Sequence, residues 1–404
     1  MRSGSAADPL QGRTAVTHAL PKGFVVHTAP VGIADDGRDD LCVIASEVPA
    51  KTAGVFTRSL FAGPSVLLSR EAVTDGSARG VVVVARNANV ATGAEGARNA
   101  AAVRDAAARA VGIDPAELLI ASTGVIGVQY PLPSILGHLE GLAWPPQPPA
   151  AGMDAAARAI MTTDTRPKCV SVRVGDAVLT GIAKGVGMIE PDMATLLTFF
   201  VTDAELDGAW LTAAFKRVMD VTFNAVSIDT DTSTSDSAAL FANGLAGPVD
   251  PQAFEAALHE VALALVKMIA SDGEGASKLI QVTVTGARDD AQAKRVGKTV
   301  VNSPLVKTAV HGADPNWGRV VMAVGKCQDD TDIAPERVRV SFGAVEVYPP
   351  ADDEQSRRAE VADYLKAADE VVIGVDLAIA EGSFTVYGCD LTEGYVRLNS
   401  QYTT

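Results

Sequence analysis

Cysteine is scarce. The 404 residues hold four thiols, at Cys42, Cys169, Cys327 and Cys389, far apart and without a C-x-x-C pair. That spacing offers neither a disulfide framework nor a zinc site, and lone thiols suit a reducing compartment. Histidine is equally thin, and His18, His27, His138, His259 and His311 show no metal-ligand spacing. The opening MRSGSAADPLQGR contains no apolar h-region, and no apolar run is long enough to span a bilayer. No secretory signal and no membrane association are expected, and the expected location is cytoplasmic. Positive charge is in deficit: 34 Lys and Arg against 49 Asp and Glu leave a net charge of −15. Nucleic acids and anionic membranes are bound by clustered cations, so neither is expected as a partner.

What is present is ordinary for a soluble globular protein: 48 % apolar and 21 % charged residues. The length allows one large domain or two ordinary ones. Residues 1–20 are small and polar and read as a disordered tail. From Gly23, the stretches GFVVHTAPVGIA and DLCVIASEVPAKTAGVFT read as strands. RGVVVVARN reads as a strand buried on both faces, followed by an Ala-rich helix stopped by Gly112. ELLIASTGVIG predicts another buried strand ending in a turn of small residues. WPPQPP at 144–149 is a rigid loop. DAAARAIMTT predicts a helix, VSVRVGDAVLTGIAKGVGM a hairpin and MATLLTFFVTD an apolar strand. Two helices follow, in AWLTAAFKRVMDVTF and FEAALHEVALALVKMIA, and then a strand in KLIQVTVTGA. The remainder reads as a charged helix, a hairpin and two strands. There is no internal repeat, and the mixed order of elements argues for α+β layers. We expect a main domain over 21–285 and a smaller C-terminal α/β domain over 286–404.

The segment with the most chemistry is Lys184-Gly-Val-Gly-Met-Ile-Glu-Pro-Asp-Met-Ala-Thr195. A lysine and two glycines form a turn, and a threonine then opens an apolar strand. Threonines at strand starts are commonly structural, and a lone Thr hydroxyl is a poor nucleophile without an adjacent base. A chain cut before the threonine supplies that base as its own α-amine, whose ordinary pKa of about 8 suits neutral pH.

KGVGMIEPDMATLL closely resembles the cleavage motif of the ornithine acetyltransferases. The resemblance implies a layered αββα fold of the N-terminal-nucleophile kind and a cut between Ala194 and Thr195. Thr195 would then be both the self-cleaving residue and the acyl-accepting nucleophile. STGVIG at 122–127 looks like the family's oxyanion turn, which implies that Thr123 and the Gly124 N–H steady the tetrahedral intermediate. IMTTDTRPK at 160–168 implies substrate binding by Thr162, and Lys184 would meet the substrate carboxylate. DGEGASK at 272–278 implies Glu274 as the substrate glutamate, a carboxylate suited to the side-chain ammonium of ornithine. The ending LNSQYTT carries over Asn399 and Thr404 as substrate contacts. HGADPNWGR at 311–319 is a further signature, in which Asp314, Pro315, Asn316 and Gly318 read as turn chemistry.

The resemblance spans residues 21–404 and is especially close to the paralogue encoded in clavulanic acid gene clusters. It implies transfer of an acetyl group from N2-acetyl-L-ornithine to L-glutamate through an acetyl-threonine. Such ping-pong chemistry needs no metal and no organic cofactor. The family also suggests an α2β2 assembly of the two fragments. Three positions depart from the usual pattern: Arg86 and Thr230 stand where glycine is common, and Ser235 where asparagine is. These bear on substrate range and on the use of acetyl-CoA as donor. One competing reading is a self-cleaving threonine aminopeptidase or amidase of related fold. Another is a nucleotide-binding strand–turn–helix in RGVVVVARNANVATGAEG, which lacks a true G-x-G-x-x-G.

Overall fold

The structure is a computed structural model that describes residues 18–146, 151–190, 196–350 and 352–401. Three sheets organise it. The first joins Phe24–Ala29 (β1), Leu41–Ser46 (β2), Gly80–Val84 (β4) and Leu118–Ser122 (β5), in the order β1-β2-β4-β5. The second runs Lys51–Phe56 (β3), Ser237–Pro248 (β9), Leu197–Glu205 (β8), Ala177–Lys184 (β7) and Lys168–Val174 (β6). The third is built from Leu279–Ala287 (β10), Arg339–Phe342 (β11), Val345–Tyr348 (β12), Glu370–Asp376 (β13) and Gly382–Cys389 (β14).

The strand alternation decides how the layers stack. On β4, Val81 and Val83 face the second sheet, where they meet Phe199, Val201 and Phe241 in a shared core. Val82 and Val84, one residue out of phase, pack with Val103 of the helix Gly93–Val111 (α2) and Ile135 of Leu132–Glu140 (α3). On β8 the same rule sends Phe200 outward, against Phe215 of Gly208–Val221 (α5) and Val261 of Pro251–Ala270 (α6). Phe199 and Phe200 are both almost wholly buried, worth about 2–3 kcal/mol each by area. The result is helix, sheet, sheet, helix, the layered α+β arrangement expected. Pro64–Ala72 (α1) and Met153–Ala159 (α4) wedge into the core between the two sheets.

The third sheet has its own core, covered by Asp290–Val301 (α7), Pro304–His311 (α8), Trp317–Val324 (α9) and Glu354–Ala367 (α10). Glu393–Gln401 (α11) closes the described chain and buries no residue. Strand β10 straddles the expected division at 285/286 and belongs wholly to the third sheet. Residues 1–17 of the expected tail lie outside the described residues, but its end is engaged. The Ala19 carbonyl accepts the Thr180 hydroxyl at 2.5 Å, and Leu20 packs on the core. The HGADPNWGR stretch is a turn only between the end of α8 at His311 and Asn316, since Gly318 sits in the first turn of α9.

Four connections matter for the site. Strand β7 runs antiparallel to β8, so its C-terminal Lys184 pairs with the N-terminal Leu197. Strand β9 runs parallel to β8, so its first residue, Ser237, also lies opposite Leu197. The C-terminal end of β5 delivers Thr123, whose N–H donates to the Val84 carbonyl. Helix α6 starts at Pro251 behind an Asp250 cap and delivers Asp272 and Glu274 just beyond its last turn.

Candidate active site

These strand and helix ends surround one cavity of about 240 Å³. Thr123, Gly124, Thr162, Lys184, Glu274 and Asn399 all line it, although they come from five separate stretches of chain. Ala194, Thr195 and Thr404, the other residues singled out by the motifs, lie outside the described residues. Leu196, which follows Thr195 in sequence, is fixed: its carbonyl accepts the Ser237 N–H at 2.9 Å.

The turn after β5 is shaped by close packing. Gly124 has φ +129°, and a Cβ there would meet the Arg86 backbone within 2.1–2.4 Å. Only glycine fits, and the residue lines the cavity wall. Thr123 is 8 % exposed, and its Oγ1 accepts a hydrogen bond from Lys184 Nζ at 3.1 Å. With that lone pair taken by the ammonium, the threonine's own O–H remains free to donate into the cavity.

Glu274 is held from two sides. Thr163 Oγ1 donates to its Oε1 at 2.9 Å, and Asn399 Nδ2 donates to its Oε2 at 2.8 Å. Its backbone N–H bonds the Val186 carbonyl at 2.8 Å, tying α6's exit loop to the turn after β7. Gly187 permits this approach, because a Cβ there would sit 2.6 Å from the Glu274 carboxylate. Each carboxylate oxygen keeps acceptor capacity for a further donor.

A buried charge cluster stands behind the cavity. Lys168, wholly buried, donates to Asp164 Oδ1 and to Asp272 Oδ2, both at 2.7 Å. Asp164 also accepts the Gly185 N–H at 2.8 Å and the Thr162 N–H at 3.1 Å. Asp272 accepts the Thr165 N–H at 3.2 Å as well as the Thr165 hydroxyl. The cluster therefore ties together the Thr162 segment, the end of β7 and the loop that carries Glu274. Burial alone would push the Asp164 carboxyl up, but Lys168, Lys184 and the Gly185 N–H outweigh it and hold it below the usual range. Lys184 moves the other way: burial lowers its pKa against the pull of Asp164 and Asp236.

Several lining groups were not anticipated from the sequence. Thr163 stands beside the expected Thr162 and is the one that bonds Glu274. Asp229 grips the turn that follows β7, taking the Met188 N–H at 2.6 Å and the Ile189 N–H at 2.8 Å. Met188 is held there at φ +53°. Burial raises the Asp229 carboxyl against those two hydrogen bonds. Asp231, Ser233, Thr234 and Tyr395 complete the wall, and burial together with nearby carboxylates pushes the Tyr395 phenol up to about 12. The Asp and Ser/Thr density of SIDTDTSTSDS was the available signal. Of the three departures, Ser235 lines the cavity and Arg86 lies under Gly124, whereas Thr230 is exposed outside it. Arg86 and Thr230 have φ of +67° and +69°, the region that favours glycine.

The profile of the ArgJ family matches residues 25–404. This chain belongs to the ArgJ family. It is 72 % identical over 394 residues to glutamate N-acetyltransferase Oat2 of Streptomyces clavuligerus, covering 96 % of this chain and 99 % of that protein. It is 54 % identical to the arginine biosynthesis bifunctional protein ArgJ of Rhodococcoides fascians, covering 97 % and 96 %. Among solved structures, ornithine acetyltransferase of Mycobacterium tuberculosis, complexed with ornithine, is similar at 34 % identity. That match has a TM-score of 0.41 and covers 43 % of this chain and 94 % of that one. No helix among the described residues is long and apolar enough to cross a membrane.

Proposed function

We propose that this ArgJ-family chain is a glutamate N-acetyltransferase that moves an acetyl group from N2-acetyl-L-ornithine to L-glutamate. It cuts itself between Ala194 and Thr195 and works in the cytoplasm as an α2β2 assembly of the two fragments. One observation carries the reading: the Thr123–Gly124 turn, a buried ammonium and a braced carboxylate share a cavity, and Leu196 and Leu197 line the smaller one beside it.

The roles follow from the groups. The Thr195 hydroxyl attacks the acetyl carbonyl and yields its proton to the freed α-amine. The Thr123 hydroxyl and the Gly124 N–H donate to the oxygen on which charge collects. Lys184 meets the α-carboxylate of the substrate, with Thr162 beside it. Glu274, steadied by Thr163 and Asn399, accepts the side-chain ammonium of ornithine. Two charges of opposite sign at opposite ends of the donor explain selection of a diamino acid over a simple acetyl amine. Ornithine then leaves, and the glutamate amine attacks the acetyl-threonine ester.

Intact mass spectrometry of the denatured wild type and of Thr195→Ala tests both parts. The wild type is expected as two fragments meeting at Ala194–Thr195, with an acetyl adduct on the Thr195 fragment after exposure to acetylornithine. Thr195→Ala is expected as one chain. A wild type that stays whole, or an adduct that forms elsewhere, refutes the mechanism.

A further inference from the structure

Donor and acceptor make opposite demands on one end of the cavity. In both half-reactions the α-nitrogen is the reacting atom, and in both Lys184 is the cation that meets the α-carboxylate. Ornithine and glutamate have equal numbers of atoms between Cα and the terminal heteroatom of the side chain. The ammonium of one and the second carboxylate of the other therefore arrive at the same place, beside Glu274. Lys184 and Glu274 share one field: burial, Asp164, Asp236 and Lys168 act on the Lys184 ammonium more strongly, and Glu274 acts on it too.

Among the described residues, Lys184 is the one basic side chain of the lining, against the carboxylates of Glu274, Asp229 and Asp231. Lys168, behind the wall, is committed to Asp164 and Asp272. Thr163 and Asn399 donate to Glu274, and the hydroxyls of Thr162, Ser233 and Tyr395 can donate into the same space, but none of them supplies positive charge. Tyr395 registers the negative field: burial first, then Asp229, Glu274 and Asp231 push its phenol up to about 12. Two carboxylates brought into contact in such surroundings do not both stay ionised. One takes a proton, and that proton bonds them.

We propose that Glu274 serves both half-reactions by changing its protonation: it is ionised against the ammonium of the donor and shares one proton with the side-chain carboxylate of the acceptor. This dual use of Glu274 rests on the substrates proposed above. Glutamate in solution carries no side-chain proton at neutral pH, its ordinary carboxyl pKa being about 4.3. The shared proton therefore comes from solvent as glutamate binds, and it returns there when acetylglutamate leaves. Only that O–H bond forms and breaks, and the acetyl transfer in between neither consumes nor supplies the proton. The acceptor is thus held with one more proton than the donor.

The test uses two inert probes that lack the α-nitrogen, glutarate for the acceptor and 5-aminopentanoate for the donor. Their inhibition constants are measured against acetylornithine in the transfer assay between about pH 6 and 8, where isolated carboxyls are ionised. The ratio of the glutarate constant to the 5-aminopentanoate constant is expected to rise by about tenfold per pH unit, because one proton is bound with glutarate and none with the amine. The shared anchor at Lys184 cancels in that ratio. In Glu274→Gln the ratio is expected to be flat with pH, with 5-aminopentanoate weakened by about tenfold or more. A flat ratio in the wild type overturns the proposal. So does a slope that survives in Glu274→Gln, which would give the proton to Asp229 or Asp231. Glutarate that fails to compete at any pH while 5-aminopentanoate competes also overturns it, by lodging the acceptor elsewhere. If Glu274→Gln is insoluble, Asp231→Asn is read instead: it is expected to keep the wild-type slope, and a flat ratio there moves the proton off Glu274 and overturns the proposal. Absence of acetyl transfer from acetylornithine to glutamate fails the substrate reading itself and is seen before any probe is added.

Discussion

Replacing Lys168 by methionine removes the one cation shared by two buried carboxylates while keeping most of the side-chain volume. Asp164 and Lys168 have fully buried side chains, and that of Asp272 is 4 % exposed. Breaking a buried charge cluster by deleting one member costs about 3–5 kcal/mol, because the remaining charges are left uncompensated. Here Asp164 keeps two backbone N–H donors and Asp272 keeps Thr165, which puts the loss near the lower end, about 3 kcal/mol. With a urea slope of about 3 kcal/mol/M, the unfolding midpoint should drop by about 1 M. Trp210, packed edge-on against Phe254 at 6.4 Å, gives a fluorescence signal from the α5/α6 layer. The sign of the pH dependence separates charge from packing. In the wild type the Asp164 pKa is held below its ordinary 3.8, so its contribution is present above that pH and lost as pH falls through the folded value. In Lys168→Met the loss of the cation raises the buried Asp164 carboxyl, so the folded state gains relative to the unfolded one as it protonates. Wild type and variant should therefore converge as pH falls from 7.5 towards 5. Changing Asp164 and Asp272 to Asn in the same chain should recover about 1–2 kcal/mol. A midpoint gap that is constant with pH, or a triple variant no more stable than the single one, refutes the charge argument.

Gly187→Ala drives a Cβ into the Glu274 carboxylate, so the donor KM should rise by about tenfold or more while self-cleavage continues; unchanged steady-state kinetics would count against the bracing of Glu274. Thr230→Gly relieves a β-branched residue at φ +69°, and after the entropy cost of glycine about 0.5–1 kcal/mol of stabilisation should remain, read as a rise of about 1–2 °C in Tm. His27 and His138 stack at 5.1 Å with their Nε2 atoms 2.8 Å apart, and burial, then His138, lowers the His27 pKa from 6.5. Because the folded form resists that proton, stability should fall as pH drops from 6.5 towards the lowered value, and His27→Gln should flatten this part of a Tm–pH profile; an unchanged slope would discount the pair.

The strands were legible wherever the pattern was local. The run around Val81–Val84 announced a strand buried on both faces, the run around Leu197–Val201 an apolar strand, and Gly112 ends α2 where the sequence said it should. Strand β9 was not legible. Its SAALFANGLAGP is rich in small residues, and it becomes central to its sheet because β3 and β8 flank it. Helix α11 escaped notice for a related reason: it buries nothing, so no apolar stripe marks it. Within the site, Thr162 and Glu274 stood out through their motifs, whereas Asp236 and Lys168 did not. A carboxylate in a Ser/Thr-rich stretch and a lysine opening a strand look like ordinary polar residues until burial removes their water.

The sequence by itself determined the chain's local preferences, its acidic surface and, through its motifs, its family and the place of the expected cut. Those properties are written in neighbouring residues and need no knowledge of what lies across the fold. Only the tertiary structure decided that Lys184 bonds Thr123, that Thr163 and Asn399 brace Glu274, and that Lys168 sits between two aspartates. These partners are separated by up to 125 residues along the chain. Their interactions exist because opposed strands end at one edge of the sheet pair, where low dielectric and tight packing turn ordinary side chains into strongly coupled groups.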